Sequence, residues 1–376
     1  MRNDIAQALL LNVLNGTSFE EVVEARKYFQ NMARYKYDDY QQFSPGMRFI
    51  ERLALWVSQF EDSDKMIALN FIRSKLLFIS SAEMNLLVSS AFPDVIRNYF
   101  IKDVAAEIEV PEYQVARIIN SVQYKMLIRQ SLFCGMSDGA KVEIFRRANT
   151  GVISHEQIYQ TYELSNERAG KMQEELCKDL KKILANECEP THHCKFKRVF
   201  LLDDFSASGT SYLKFDDSSS KLKGKIGAFY KSVYENEELK NVFDVDNLKV
   251  YVIIYLCTEQ AKNQIIGNFV HLEQKYGRRP ELVCLHEIPN TYKLNALADE
   301  QIISLCQKDI YYDAEELEDE HTTKGGKNVK LGFGECALSV VIAHNTPNNS
   351  VPLLWSYDTS RKFIGLFPRI PRHKEI

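Results

Sequence analysis

Apolar positions over the first 130 residues recur every three or four places, the spacing that lines one face of a helix. Met47-Arg48-Phe49-Ile50-Glu51-Arg52-Leu53-Ala54-Leu55-Trp56-Val57 shows it, and Lys65 to Phe78 repeats it with Met66, Ile67, Leu69, Ile72, Leu76 and Leu77. Ser81-Ala82-Glu83-Met84 carries the Ser and Glu of a helix start. Gly and Pro are few, so residues 1–130 are expected to form a helical domain. After residue 195 the pattern changes to short continuous apolar runs: Val199–Leu202, Val250–Leu256, Leu282–Leu285 and Ala337–Ala343. Between the second and third lies Glu259 to Tyr276, amphipathic and long enough for a crossover helix. Apolar strands separated by helices predict an α/β fold, a parallel sheet covered on both faces, over residues 131–376. No internal repeat is present.

Composition bounds the function classes. The 376 residues are 45% hydrophobic and 26% charged with a net charge of −4, so no global basic field draws the chain to nucleic acid or membrane. No apolar run reaches the roughly 18 residues of a membrane span. The first residues lack the apolar core of a signal peptide. Eight cysteines scattered along the chain are expected to be reduced thiols in a cytoplasmic protein. Two stretches read as loops, lids or partner surfaces: Asp216 to Gly227, rich in Ser, Lys and Gly, and Asp313 to Gly334, which opens on an acidic cluster.

One segment names a chemistry: Val199-Phe200-Leu201-Leu202-Asp203-Asp204-Phe205-Ser206-Ala207-Ser208-Gly209-Thr210-Ser211. A buried strand ends in two carboxylates, and a loop of small hydroxyl residues follows. Carboxylates accept hydrogen bonds from the vicinal hydroxyls of a ribose, and loop N–H groups and hydroxyls cradle a phosphate. Ligands of parallel sheets bind at the carboxyl ends of strands, where this pair would sit. The plain alternative is an acid pair that caps a following helix. A strong helical pattern resumes only near Lys225, so the loop is extended or a short helix ends early.

Other constellations are less specific. Cys188-Glu189-Pro190-Thr191-His192-His193-Cys194 offers four zinc ligands, but the spacing matches no common finger or ribbon. His344-Asn345-Thr346-Pro347-Asn348-Asn349-Ser350 follows an apolar strand. The amides of Asn345, Asn348 and Asn349 are suited to a base edge or ribose and Trp355 to stacking, or the segment is an elaborate turn. Residues 104–119 suggest helix, turn, helix. Their second helix carries only Arg117 among Glu107, Glu109 and Glu112, which favours a plain helical hairpin over a DNA reader. The tail from Arg361 to Lys374 is either a docking segment or a frayed end.

The acid pair and hydroxyl loop resemble the phosphoribosyl-diphosphate signature of type I phosphoribosyltransferases. With Ser137-Asp138-Gly139-Ala140 plus Arg146-Arg147, and with His344 to Ser350, the chain resembles the phosphoribosyltransferase-like proteins of bacterial conflict systems, including those encoded beside retron reverse transcriptases. The resemblance implies that Asp203 and Asp204 hold the ribose hydroxyls and, indirectly, Mg²⁺. It implies that Ala207, Ser208, Gly209, Thr210 and Ser211 surround the 5-phosphate. Ser137, Asp138 and Gly139 would form the pyrophosphate turn with Arg146 and Arg147, and residues 186–197 a closing loop whose Lys195 and Lys197, with Arg198, meet the leaving group. It further implies phosphoribosyl diphosphate or a nucleotide as ligand, transfer or cleavage at the ribosyl carbon, and a toxic effector in anti-phage defence. A reverse transcriptase with noncoding RNA and DNA would be its regulating partner. A non-catalytic nucleotide sensor is the other reading, and an oligomer stays open.

Overall fold

The computed structural model describes residues 3–14, 17–161, 164–184, 194–216, 219, 221–311, 329–356 and 363–369. The chain divides into two compact units, residues 1–83 with 289–376, and residues 84–288. This differs from a linear division at residue 130. The first helices share a core with the C-terminal segment, whereas the helices after residue 84 cover the sheet.

The first unit begins with α1 (Asn3–Val13), α2 (Phe19–Tyr35), α3 (Phe49–Val57) and α4 (Asp62–Lys75). Ser18 and Glu21 close a capping box at α2, with the Ser18 Oγ accepting from the Glu21 N–H at 3.3 Å. In α3 the expected stripe is buried through Phe49, Ile50, Leu53 and Trp56. The helix expected from Lys65 to Phe78 stops at Lys75, and Leu77–Ile79 form strand β1.

The boundary at residue 84 falls within α5 (Ser81–Ser90), and the second unit then carries α6 (Arg97–Glu107), α7 (Val115–Asn120) and α8 (Val122–Arg129) before its first strand, β2 (Ser131–Gly135). The cap of α5 is Ser80, one residue before the expected start; its Oγ accepts from the Glu83 N–H at 3.2 Å. Then follow α9 (Val142–Ala148), β3 (Ile158–Gln160), α10 (Asn166–Ile183) and β4 (Arg198–Ser206). A hairpin of β5 (Lys214–Asp216) and β6 (Lys221–Lys223) leads to α11 (Lys225–Glu235) and α12 (Glu237–Val242). The unit closes with β7 (Lys249–Thr258), α13 (Glu259–Tyr276) and β8 (Glu281–Ile288). The chain then returns to the first unit with α14 (Glu300–Gln307), β9 (Val340–Ile342) and α15 (Pro352–Trp355).

Five strands form a parallel sheet in the order β3-β2-β4-β7-β8. Both faces are covered, as the apolar runs require. On one face Val199, Leu201, Val252 and Ile254 pack with Leu176 and Leu180 of α10, Phe229 of α11 and Ile265 of α13. On the other, Phe133, Phe200 and Tyr251 stand in register on β2, β4 and β7 and stack at 5.2 and 4.8 Å, with Phe100 of α6 against Phe200 at 5.5 Å. The order reverses between β2 and β4. The carboxyl ends of those two strands therefore open a crevice, since their connections leave to opposite sides.

Three expectations are corrected here. The run Ala337–Ala343 is not a strand of this sheet; its strand part, β9, pairs in parallel with β1 in a separate two-stranded sheet of the first unit. The cysteines are not all thiols, because Cys177 and Cys194 are disulfide-bonded. Cys134, Cys257, Cys284, Cys306 and Cys336 are free. Within Asp216 to Gly227, expected as a loop, lid or partner surface, Asp216 and Lys221–Lys223 belong to the β5–β6 hairpin and residues 225–227 open α11, while positions 217, 218 and 220 lie outside the described residues. Also outside them are Cys188–His193, positions 312–328 of the acidic stretch, and the tail from position 370. No described helix is long and apolar enough to cross a membrane.

Candidate functional site

The carboxyl end of β4 carries Asp203 and Asp204, and the carboxyl end of the adjacent β2 carries the turn Ser137–Ala140. Beyond the last ladder pair, Gly135 with Leu202, the Met136 N–H still donates to the Leu202 carbonyl at 2.9 Å. Two segments 66 residues apart are thereby brought into side-chain contact: Ser137 Oγ donates to Asp203 Oδ1. Gly139 stands against Asp204 so closely that a Cβ there would lie 2.6 Å from its Cγ and 2.9 Å from Oδ1. Tyr255 of β7 fixes the turn from below, donating to the Ala140 carbonyl at 3.0 Å.

The two acids differ. Asp203 is fully buried, with one oxygen held by Ser137 and the other by the ammonium of Lys225. Burial and the neighbouring Asp204 carboxylate push the Asp203 carboxyl above its usual range, against the opposing pull of Lys225 and Ser137. Asp204 is half-buried and lies on the crevice side beside Gly139. Asp203 is fully buried behind Ser137 and Lys225, and Asp204 is the more exposed of the two carboxylates. Lys225, at the first position of α11, was not among the expected site residues. Its ammonium also lies 4.9 Å from the centroid of the Tyr212 ring. The signal in the sequence was the cation at which the helical pattern resumes, directly following Gly224, whose positive φ of 97° turns the chain back against the Tyr212 carbonyl.

The loop after the acids is tied at its base and open at its tip. Thr258, the N-cap of α13, donates to the Ala207 carbonyl at 2.6 Å and accepts from the Ala261 N–H at 3.1 Å. Gly209 has φ +76° and sits so near α13 that a Cβ would meet the Ala261 carbonyl at 2.8 Å. The Ser208 and Thr210 hydroxyls bond each other at 3.0 Å, while Thr210 is half-buried and Ser211 exposed. The N–H groups of Ser208, Gly209, Thr210 and Ser211 donate to no acceptor among the described residues. Such a run of backbone donors is a concavity suited to an anion. The extended-loop alternative fits: among the described residues no helix follows the loop until Lys225.

Asp138 is exposed in the Ser137–Ala140 turn. The remaining candidates lie elsewhere. Arg146 and Arg147 occupy the last turn of α9 and face Glu143 of the same helix, at 3.1 and 4.0 Å, rather than the acid pair. Lys197 and Arg198 stand at the start of β4. At about 3.3 Å per residue this is about 20 Å from Asp204, the wrong end of the strand for a leaving group. Asn345, Asn348 and Asn349 belong to the other unit. There Asn349 Nδ2 donates to the Phe333 carbonyl at 2.9 Å and the Asn348 carbonyl accepts from the Phe333 N–H at 2.8 Å, the bonds of a structural turn. Trp355 donates to the Ser350 carbonyl at 2.6 Å in the same turn. Among the described residues no group of three or more His, Cys, Asp or Glu is placed to hold a metal ion.

Compared with known proteins, residues 53–369 match the family model PRTase-CE. No curated protein and no solved structure matches the chain.

Proposed function

We propose, from the premise that the chain belongs to the PRTase-CE family of phosphoribosyltransferase-like proteins, that the crevice between β2 and β4 binds a phosphoribose-containing metabolite. The observation that carries this is the meeting of the Ser137–Ala140 turn with the acid pair at the strand-order reversal, beside the open N–H groups of residues 208–211. Asp204 takes the ribose hydroxyls, and Ser208 to Ser211 receive the 5-phosphate. Asp203 acts behind Asp204: with Ser137 and Lys225 it fixes the turn that receives the diphosphate.

The reaction proposed is transfer or cleavage at the ribosyl carbon. Its transition state resembles an oxocarbenium ion, so the protein's work is positioning and charge stabilisation. The acid pair is not arranged as a metal site of its own: Asp203 is fully buried, with one oxygen accepting from Ser137 and the other from the Lys225 ammonium, a cation already beside it. Mg²⁺ would therefore arrive on the diphosphate, as part of the substrate. The Asp203–Thr210 signature's resemblance to conflict-system proteins supports a toxic effector in anti-phage defence, restrained by a partner such as a reverse transcriptase with its noncoding RNA and DNA. A sensor without turnover is favoured by one observation: of the cations expected at the leaving group, Arg146 and Arg147 pair with Glu143, and Lys195, Lys197 and Arg198 stand at or before the amino end of β4, opposite the acid pair.

Calorimetry with phosphoribosyl diphosphate and Mg²⁺ tests the site. Each charged hydrogen bond to ribose is worth about 1.5–3 kcal/mol, so Asp204→Asn is expected to weaken binding about tenfold to a hundredfold with the fold intact. Unchanged affinity in a folded Asp204→Asn protein refutes the assignment. Release of diphosphate or free base from candidate nucleotides, followed by mass spectrometry, separates enzyme from sensor.

A further inference from the structure

The other end of the same sheet holds a second concentration of charge. Arg198 and Lys249 are paired in register at the first positions of β4 and β7. Lys197 precedes Arg198, and Arg278 follows Gly277, which caps α13. With Asp244, Asn247 and Leu248 these four cations line a cleft of about 430 Å³. Asp103 of α6 orients two of them: one oxygen receives Arg198 Nε and Nη2 at 3.0 and 2.7 Å, and the other receives Lys249 at 2.7 Å. Asp244 accepts from Asn247 at 3.3 Å. Setting Asp103 and Asp244 against the four cations leaves an excess of two positive charges, in a chain whose net charge is −4. Lys197 and Arg278 have no carboxylate partner among the described residues.

We propose that this cleft is a second ligand site, for a small molecule carrying two or more phosphate groups. Arg198 is a fixed charge in the wall of the cleft, its Nε and Nη2 donating to Asp103 and its Nη1 to the Lys197 carbonyl at 2.9 Å, while the ammonium groups of Lys197 and Lys249 and the guanidinium of Arg278 supply the donors for phosphate oxygens. The cations are gathered in one cleft and do not run as a stripe, and the exposed acids Asp246, Glu273 and Glu281 stand on the segments that flank it. A nucleic-acid backbone needs an extended row of cations and would meet those acids. The site is independent of the acid pair: Arg198 and Asp203 are five residues apart on one strand, about 17 Å at 3.3 Å per residue.

The test is calorimetry of the full chain with inorganic tripolyphosphate, on the wild type, on Lys197→Ala/Arg278→Ala and on Asp204→Asn. Saturable binding by the wild type is expected, kept by Asp204→Asn and weakened at least tenfold by Lys197→Ala/Arg278→Ala. Lys197→Gln and Arg278→Gln singly, with melting curves, guard against a loss caused by unfolding. The proposal is overturned if the wild type does not bind, if the double variant binds as well as the wild type, or if Asp204→Asn abolishes binding. Tighter binding of a single-stranded oligonucleotide than of tripolyphosphate, lost in the same double variant, overturns the small-molecule assignment.

Discussion

At the scale of single residues, Asp203 is where burial and charge conflict. Its carboxylate is fully buried and satisfied by Ser137 and Lys225. Removing one partner of such a pair leaves a charge in a low-dielectric interior, at a cost of about 3–5 kcal/mol. Lys225→Met is therefore expected to lower stability in urea by about 3 kcal/mol at neutral pH. The pH dependence follows from the direction of the Asp203 shift. A carboxyl raised in the folded state binds its proton more tightly there than in the unfolded chain. Its contribution is fully present below the ordinary carboxylate range and is lost as pH rises through the raised value. Without Lys225 that value rises further, so the gap between variant and wild type should close toward acid pH. Asp203→Asn/Lys225→Met should recover most of the loss. An equal deficit at neutral and acid pH would show that Lys225 does not compensate Asp203. Gly139→Ala probes the other acid. Its Cβ would press on the Asp204 carboxylate, so phosphoribosyl diphosphate affinity should fall at least tenfold while the melting temperature holds. The acid pair was legible because strand, acids and loop are contiguous in the chain. Lys225 was not, because its partner lies 22 residues back and only the return of the chain at Gly224 brings them together.

At the scale of elements, the long apolar runs announced their strands, and α13 spans the expected Glu259 to Tyr276. The short strands β2 and β3 were not among the expected ones. Ser131-Leu132-Phe133-Cys134-Gly135 is five residues long, and β3 three, too little for periodicity to separate strand from helix. The error at Ala337–Ala343 was of partner, not of type: an apolar β-branched run does not state which sheet it joins. The junction of β7 and α13 shows how one side chain ties an element to the site. Thr258 caps α13 and holds the Ala207 carbonyl at the root of the anion loop. Thr258→Val keeps the shape and removes both bonds, so a loss of about 2 kcal/mol in chemical unfolding is expected, with weaker phosphoribosyl diphosphate binding. Thr258→Ser, which keeps the hydroxyl, should restore both. Failure of Ser to restore ligand affinity would mean that the Thr258 methyl group, not its hydrogen bonds, sets the loop.

At the scale of the whole molecule, the two units are connected differently along the chain, and this governs how each can fold. Residues 84–288 are continuous and contain the five-stranded sheet, its helices and its core. The other unit is assembled from both ends of the chain. Phe367 lies among Tyr37, Phe49 and Phe78 at ring distances of 6.1, 5.7 and 5.5 Å. Trp56 Nε1 donates to the Leu353 carbonyl at 2.9 Å, and β1 has β9 as its strand partner. The helices of residues 1–83 thus share their core with residues of the segment 289–376, and helices of this length are marginal in water without such a face to cover. A fragment of residues 84–288 is therefore expected to fold cooperatively, whereas residues 1–83 alone should stay largely unfolded until residues 289–376 are supplied. The same reasoning localises a core substitution. Phe367→Ala removes a buried aromatic side chain, at a cost of about 3–5 kcal/mol. Hydrogen exchange should then quicken in α3, α4 and β1 while β2 and β4 keep their protection. An equal rise across β2 and β4 would show that the two units unfold as one and that the contiguous sheet has no stability of its own.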